Sequence, residues 1–401
     1  MKVILSTIGK FHTFDAAREL LVHRVLSGIY SGYPAFKLKN ENIPLELIHT
    51  FPYLHAPYMK VQFRDLFGNR LKQEWEYWDR VLFDLHVAKH IPACDVFSGL
   101  SGAALKTGQT VKARGGTYIC DRGSSHIRFQ DQILREEHER WGVPYWPIDP
   151  RIIAREEAEY ELADFITVPS TFVINSFLEL KVPATKLLLV PYGVDLERFT
   201  KVATPDPTRF DVLYVGTGSL QKGIPYLLQA YANIIHPRKS LTLIGGFSPV
   251  FINWLYKVQL LTEGTNIKIL GHIPQHNLRD YMSRSHVLVL ASVQEGLAMV
   301  QAQAMACGCP VIATKNTGAE NLFTNGEEGF IVPIRNSQAI TRKLQHLADH
   351  PDTREKMSIA ALVKMKQMGG WSAYGNRLVS MMAECCNANR WSRANEEHAW
   401  Q

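Results

Sequence analysis

The sequence predicts an α/β protein built as two doubly wound parallel-sheet domains that face a central cleft. Three observations carry that prediction. The chain has 401 residues, too many for one ordinary hydrophobic core and suited to two. Short apolar runs of four or five residues alternate with longer helical stretches, the sign of parallel α/β units. The alternation breaks once, across residues 190–209, and then restarts.

In the first half the runs are 2–6 (KVILS), 95–99 (DVFSG), 117–121 (TYICD), 165–168 (FITV) and 186–190 (KLLLV). Gly9 follows the first run, and a helical pattern extends from about Phe14 to Ile29. Residues 126–140 and 149–163 read as helices. The segment 190–199 (VPYGVDLERF) and the polar, proline-containing stretch 200–209 form the domain boundary. The second half has runs at 211–215, 241–244, 267–270, 286–290, 310–313 and 329–332, with helices dominating from residue 337 onward. The expected organisation is a first domain over 1–195, a second over 196–370, and a terminal helix and tail over 371–401. In such sheets ligands bind beyond the carboxyl ends of the strands, so two of them place the site in the cleft between.

Composition narrows the class. Hydrophobic residues make up 46% and charged residues 20%, a globular balance that argues against long disorder. The formal charge of +6 is mild for this length. It reads as a slightly basic enzyme or, more sharply, as a basic face for anionic lipid or a phosphorylated substrate. No run of five or six like charges marks a nucleic-acid tail, and no nucleic-acid partner is expected. The six cysteines form no C-x-x-C pair and fit reduced side chains in a reducing compartment. The opening MKVILSTIGK lacks a signal-peptide core, and no 18-residue apolar stretch exists. A cytoplasmic location follows as the expectation, with peripheral contact at an anionic membrane face as its extension.

The most specific signal lies at 287–313, VLVLASVQEGLAMVQAQAMACGCPVIA. A buried strand ends near Ser292, a turn carries Glu295 and Gly296, and a helix is expected from about Ala298 to Gly308. The first turn of a helix offers free N–H groups and a partial positive charge, which favour an anion. Gly296 lets the backbone approach a diphosphate. Glu295, just ahead of the turn, is placed to accept from sugar hydroxyls, and Gln303 to reach a ribose. The plainer reading is that Glu295 complements the helix dipole and Gln303 belongs to a solvated face.

This stretch resembles the signature of retaining glycosyltransferase family 4, with its GT-B fold: two glutamates eight positions apart followed by Ala-Met-Ala-Cys-Gly-x-Pro-Val-Ile-Ala. Glu295 matches the glutamate that meets the donor sugar. Gln303 stands where the second glutamate, the ribose binder, normally is, and Ala298 replaces a glycine. The resemblance assigns donor contacts to Glu295, Gly296, Leu297, Ala298, Met299 and Gln303. Gln303 keeps an acceptor but loses a charge, and a neutral hydrogen bond is weaker than a charged one.

Weaker segments gain weight beside that motif. Residues 215–223 (VGTGSLQKG) make a glycine-rich turn after a strand, a plausible phosphate cradle. They resemble the family's phosphate loop, with Gly216 in the turn and Lys222 matching its lysine. Thr217 replaces its arginine, and Arg122 or Arg128 from the first domain are candidate substitutes. Ile273, in GHIP after the 267–270 strand, matches a residue whose backbone meets the base. Residues 190–199 and 371–378 resemble the family's interdomain segment and its terminal helix, which crosses back to the first domain. In 117–128 a strand ends at Asp121 and a helix is expected near His126, capped by Ser124 or Ser125. Read alone, His126 is a polar helix-start residue; the resemblance makes it the histidine that touches the donor sugar. The resemblance implies that the loop carrying Gly9 lies near donor and acceptor. Lys10, His12, Arg122 and Ser125 are the acceptor-side candidates, with solvated loop residues as the plainer reading of Lys10 and His12.

The resemblance implies a glycosyltransferase that moves a hexose-type sugar from a UDP- or GDP-linked donor to a glycan, lipid-linked or small-molecule acceptor, with retained configuration. Catalytic roles fall to His126, Lys222 and Glu295. No metal and no further cofactor are expected, since Lys222 and main-chain amides face the diphosphate. A nucleotide-sugar epimerase, a phosphorylase on the same scaffold and a non-catalytic nucleotide-sugar or glycan binder are the rival readings.

Overall fold

The computed structural model describes residues 1–60 and 63–399. The first sheet has seven strands: β1 (Val3–Thr7), β2 (Leu26–Ser31), β3 (Ile48–Thr50), β4 (Val96–Leu100), β5 (Thr117–Asp121), β6 (Phe165–Val168) and β7 (Leu187–Leu189). Their order is β3-β2-β1-β4-β5-β6-β7, and every pairing is parallel. The second sheet has six: β8 (Phe210–Val215), β9 (Lys239–Ile244), β10 (Ile267–Ile269), β11 (Val287–Leu290), β12 (Val311–Thr314) and β13 (Gly329–Val332). Their order is β10-β9-β8-β11-β12-β13, again all parallel.

A parallel sheet must be covered on both faces, so its strands are apolar throughout. β11, with VLVL, and β12, with VIAT, are buried at every position. In each sheet the strand order reverses once, between β1 and β4 and between β8 and β11. Connections leave in opposite directions at such a point and open a crevice outside the carboxyl ends. The loops after β1, β8 and β11 therefore sit where ligands bind in this architecture.

Two expectations are corrected. The first helix spans Thr13–Val22 rather than running to residue 29. Arg24, with φ of 57°, turns the chain, and the rest of that apolar stretch is β2. The helix after β11 is Val300–Ala306, seven residues long and two residues later than expected.

The two domains are in direct contact. Ser170 Oγ donates to the Gly296 carbonyl at 2.7 Å, and Thr171 N–H donates to Asn321 Oδ1 at 2.9 Å. Glu137, on helix Ile127–Arg140, is fully buried yet charged. It accepts from Tyr226 OH at 2.7 Å and from Arg335 Nε at 2.7 Å, both in the second domain, and from Trp141 Nε1 at 2.9 Å. Paired and hydrogen-bonded on all sides, the carboxylate meets the condition for a buried charge. Helix Gly370–Ala399 packs along helix Thr13–Val22, returning the chain to the first domain. Its Asn389 donates to Thr117 Oγ1 at 3.1 Å, and Gly193 admits the Trp371 backbone within 2.7 Å of where a Cβ would stand.

Candidate active site

The reversal between β8 and β11 sets residues 216–223 beside residues 291–299. The two turns are stitched together. Val293 N–H donates to the Gln221 carbonyl at 2.8 Å, and Gln221 Nε2 donates to Gln294 Oε1 at 2.8 Å. Gly223 has φ of +66°, and a Cβ there would overlap the Ala291 carbonyl, so both conformation and space demand glycine. Gly216 lies against Tyr214, whose hydroxyl donates to the Thr217 carbonyl at 2.8 Å. The Thr217 side chain is exposed.

Lys222 Nζ reaches Glu295 Oε1 at 2.6 Å, with Ser292 Oγ donating to the same oxygen at 3.0 Å. Both charges are partly shielded: the lysine side chain is 23% and the glutamate 14% exposed. Each is thus a stronger electrostatic partner than on an open surface. Glu295 N–H is tied to the Asn316 carbonyl at 3.1 Å and Ala298 N–H to the Thr317 carbonyl at 3.0 Å. Among the described residues, no acceptor is taken by the N–H groups of Gly296, Leu297 or Met299. These N–H groups belong to the same turn as Glu295, the partner of Lys222. The short helix that follows adds little dipole of its own. Leu297 and Ala298 are buried against the core, whereas Met299 and Gln303 line the interdomain cleft. Ile273 is half-buried just past β10, where the Gly271 carbonyl accepts from Gly245 N–H at 2.7 Å.

The first domain meets this site through residues 123–125. Gln294 Nε2 donates to Ser124 Oγ at 2.7 Å and to Ser125 Oγ at 2.9 Å. A Cβ on Gly296 would sit inside the Gly123 carbonyl oxygen. Arg122 shapes this loop. It is 7% exposed, pairs with Glu156 at 2.7 Å, and donates through Nη2 to the Ser125 carbonyl at 2.8 Å. With its guanidinium used inside the first domain, it does not take the place of the missing arginine. Neither does Arg128, which pairs with Glu157 on the surface.

His126 does not project into the cleft. It is 3% exposed, with its ring 4.9 Å from that of Tyr160 and 5.0 Å from that of Phe177. Its Nδ1 accepts from Arg128 N–H at 3.2 Å, so the histidine itself is the cap expected of Ser124 or Ser125. Burial, with the Arg122 and Arg128 charges, pushes its pKa down to about 4. It is neutral near pH 7 and holds the helix start.

The histidine that does face the cleft is His12. Its Nε2 lies 2.7 Å from Asp121 Oδ2, at the end of β5, and its ring stacks on Tyr192 at 4.2 Å. Lys10 pairs with Glu41, and Gly9 is overlaid by the Phe11 ring. Lys10, His12, Met299 and Gln303 share one interdomain cleft of about 870 Å³. Sequence reasoning missed Gln294 and Phe11. The first stands one residue from a predicted site residue, and the second is an aromatic on a predicted acceptor loop.

This geometry defines a class: a GT-B protein, two parallel-sheet domains closed over a cleft, with a cation and main-chain donors at the reversal point of the second. Comparison with known proteins agrees. Residues 196–363, within the second domain, match the family model of glycosyl transferases group 1. A putative colanic acid biosynthesis glycosyltransferase, WcaL of Salmonella typhimurium, is 26% identical over 214 residues, covering 50% of this chain and 52% of that protein. The chain spans about half the length of the first curated relatives it matches. Two solved structures share the fold. Sucrose-phosphate synthase from Thermosynechococcus elongatus has a TM-score of 0.71 at 20% identity, covering 97% of this chain and 100% of that one. Anabaena HepE in complex with UDP and glucose has a TM-score of 0.69 at 16% identity, covering 96% and 100%. Among the described residues, no helix is long and apolar enough to cross a membrane, and no cluster of His, Cys, Asp and Glu has the grouping of a metal site.

Proposed function

We propose that this chain is a retaining glycosyltransferase that transfers a hexose-type sugar from a nucleoside-diphosphate donor, UDP- or GDP-linked, to a hydroxyl of an acceptor in the interdomain cleft. The observation that carries the reading is Lys222 set against Glu295 across two stitched turns at the β8–β11 reversal. The glycosyl transferases group 1 match over the same residues supports it.

The chemistry follows from charge. As the anomeric carbon–oxygen bond breaks, the diphosphate leaves with the electron pair and gains negative charge. Lys222 and the free N–H groups of 296, 297 and 299 meet that charge in a shielded site, where fixed donors act most strongly. Glu295 accepts from sugar hydroxyls and orients the ring. The acceptor oxygen bonds to the anomeric carbon on the face the diphosphate leaves, and its proton passes to a diphosphate oxygen. One lysine and main-chain donors supply the positive counterpart, so no metal is required in this scheme.

Incubation with a panel of UDP- and GDP-hexoses, with and without glycosyl acceptors, tests it. The expected result is free nucleoside diphosphate plus a new glycoside of unchanged anomeric configuration. An inverted product, or a C4 or C2 epimer of the donor with no nucleotide released, contradicts it.

A further inference from the structure

The acceptor side of the cleft has a charge pattern of its own. Three Lys or Arg residues line it, Lys10, Arg18 and Arg198, and each is already taken. Lys10 pairs with Glu41 Oε1, and Arg18 with Asp15 and, at 3.0 Å, with Glu41 Oε2. Arg198 donates to Gln275 Oε1 at 2.6 Å and lies 3.4 Å from Asp195 Oδ2. Glu41 is 5% exposed and clamps two of the three cations from behind. Against these stand four carboxylates, Asp15, Glu19, Glu41 and Asp195, so the wall is net acidic. Glu19 has no ion-pair partner among the described residues. Phe11, 53% exposed, lines this cleft and offers it an apolar ring.

A phosphate brought here would find no free cation and would face unpaired carboxylate, a like-charge contact that excludes ligands efficiently. A sugar ring suits both features. Its hydroxyls donate to carboxylates, and its C–H face covers an aromatic ring. Resting on the glycosyltransferase reading above, we propose that the reacting end of the acceptor is an uncharged glycosyl unit, seated on Phe11 with hydroxyls donating to Asp15 and Glu19. Acceptors phosphorylated on that unit are excluded.

The test is a binding measurement, independent of turnover. Saturation-transfer NMR, with the protein held in saturating UDP or GDP, compares methyl hexosides with hexose 6-phosphates. The wild type is expected to bind the neutral glycosides and prefer them by about tenfold or more. Phe11→Ala, at an exposed loop position, is expected to weaken neutral binding about fivefold. Glu41→Gln frees Lys10, leaves Arg18 with Asp15 as its remaining ion-pair partner, and is expected to move the preference toward the phosphates by about tenfold. A wild-type preference for the phosphates overturns the proposal, as does binding of neither class, or a Phe11→Ala variant indistinguishable from wild type. Failure to bind either nucleotide instead overturns the glycosyltransferase reading itself.

Discussion

Lys222 Nζ lies 2.6 Å from Glu295 Oε1, and this ion pair joins the two turns that the strand-order reversal places side by side. In the proposed reading, the cation assigned to a diphosphate is thus neutralised, before any donor arrives, by the carboxylate assigned to a sugar. Donor binding has to divide the pair between its two halves, with phosphate oxygens taking the ammonium and sugar hydroxyls donating to the carboxylate.

Opposite outcomes for the two partners follow. Lys222→Ala removes the cation at the leaving group and lowers kcat/KM for the donor by about 100-fold or more, the range for loss of one fixed donor at a charged transition state. Glu295→Gln releases the lysine from its competitor. It tightens binding of a nucleoside diphosphate without sugar by about tenfold, while kcat falls as the sugar loses its charged acceptor. Calorimetry and steady-state kinetics on both variants check this. Weaker diphosphate binding in Glu295→Gln would contradict a competing pair.

The contact between domains is as exacting at Gly296. A Cβ there meets the Gly123 carbonyl oxygen, so Gly296→Ala forces the domains apart at the site while leaving each sheet intact. Displacing cleft groups by about 1 Å can cost 100-fold in rate, and a loss of that size is expected. Small-angle scattering should show a larger radius of gyration with an unchanged circular-dichroism spectrum. An unchanged radius with full activity would refute the contact.

Arg335 holds the fully buried Glu137 across the same interface at 2.7 Å. Arg335→Ala leaves that charge with fewer partners, and breaking a buried pair costs about 3–5 kcal/mol. The midpoint of chemical unfolding should drop accordingly. Glu137→Gln in the same chain should recover part of the loss, because a neutral amide no longer needs the cation. A double variant less stable than Arg335→Ala alone would show that the charge itself is not the cost.

His126 gives the chain an acid sensitivity unrelated to catalysis. Its folded pKa is pushed down to about 4, below the ordinary histidine value of 6.5. Between those values the unfolded chain binds a proton that the folded one refuses, so stability falls as pH drops from about 6.5 to about 4. At pH 5 the loss from this group is about 2 kcal/mol. His126→Asn keeps a capping oxygen and removes the titration. Urea unfolding at pH 7 and pH 5 should show a smaller pH dependence in the variant, with donor turnover at pH 7 changed little. A 100-fold loss of turnover would restore His126 to the active site.

Much of the fold was legible because parallel strands are buried on both faces and so stand out as apolar runs. TYICD, FITV and GFIV coincide with β5, β6 and β13. β2 was hidden because LSGIYS continues the apolar spacing of the preceding helix, and the break rests on the left-handed backbone of Arg24, which a sequence pattern does not show. In the site, Lys222 and Glu295 stood in suggestive turns but were singled out by the resemblance, and the structure brings them together. His126 was not, since whether a residue after a strand points outward or into the core depends on how Tyr160 and Phe177 fill the space beside it. Gln294 and Ser125 owe their contact to domain closure, which no local spacing encodes.

The central claim is that a diphosphate sits between residues 216–222 and 295–299, neutralised by Lys222. Titration calorimetry of UDP and GDP against uridine and guanosine, on wild type and Lys222→Ala, addresses it directly. One diphosphate should bind the wild type at least about tenfold more tightly than its nucleoside, and most of that advantage should vanish in the variant. Equal affinity for diphosphate and nucleoside in the wild type, or an advantage untouched by Lys222→Ala, would contradict the account.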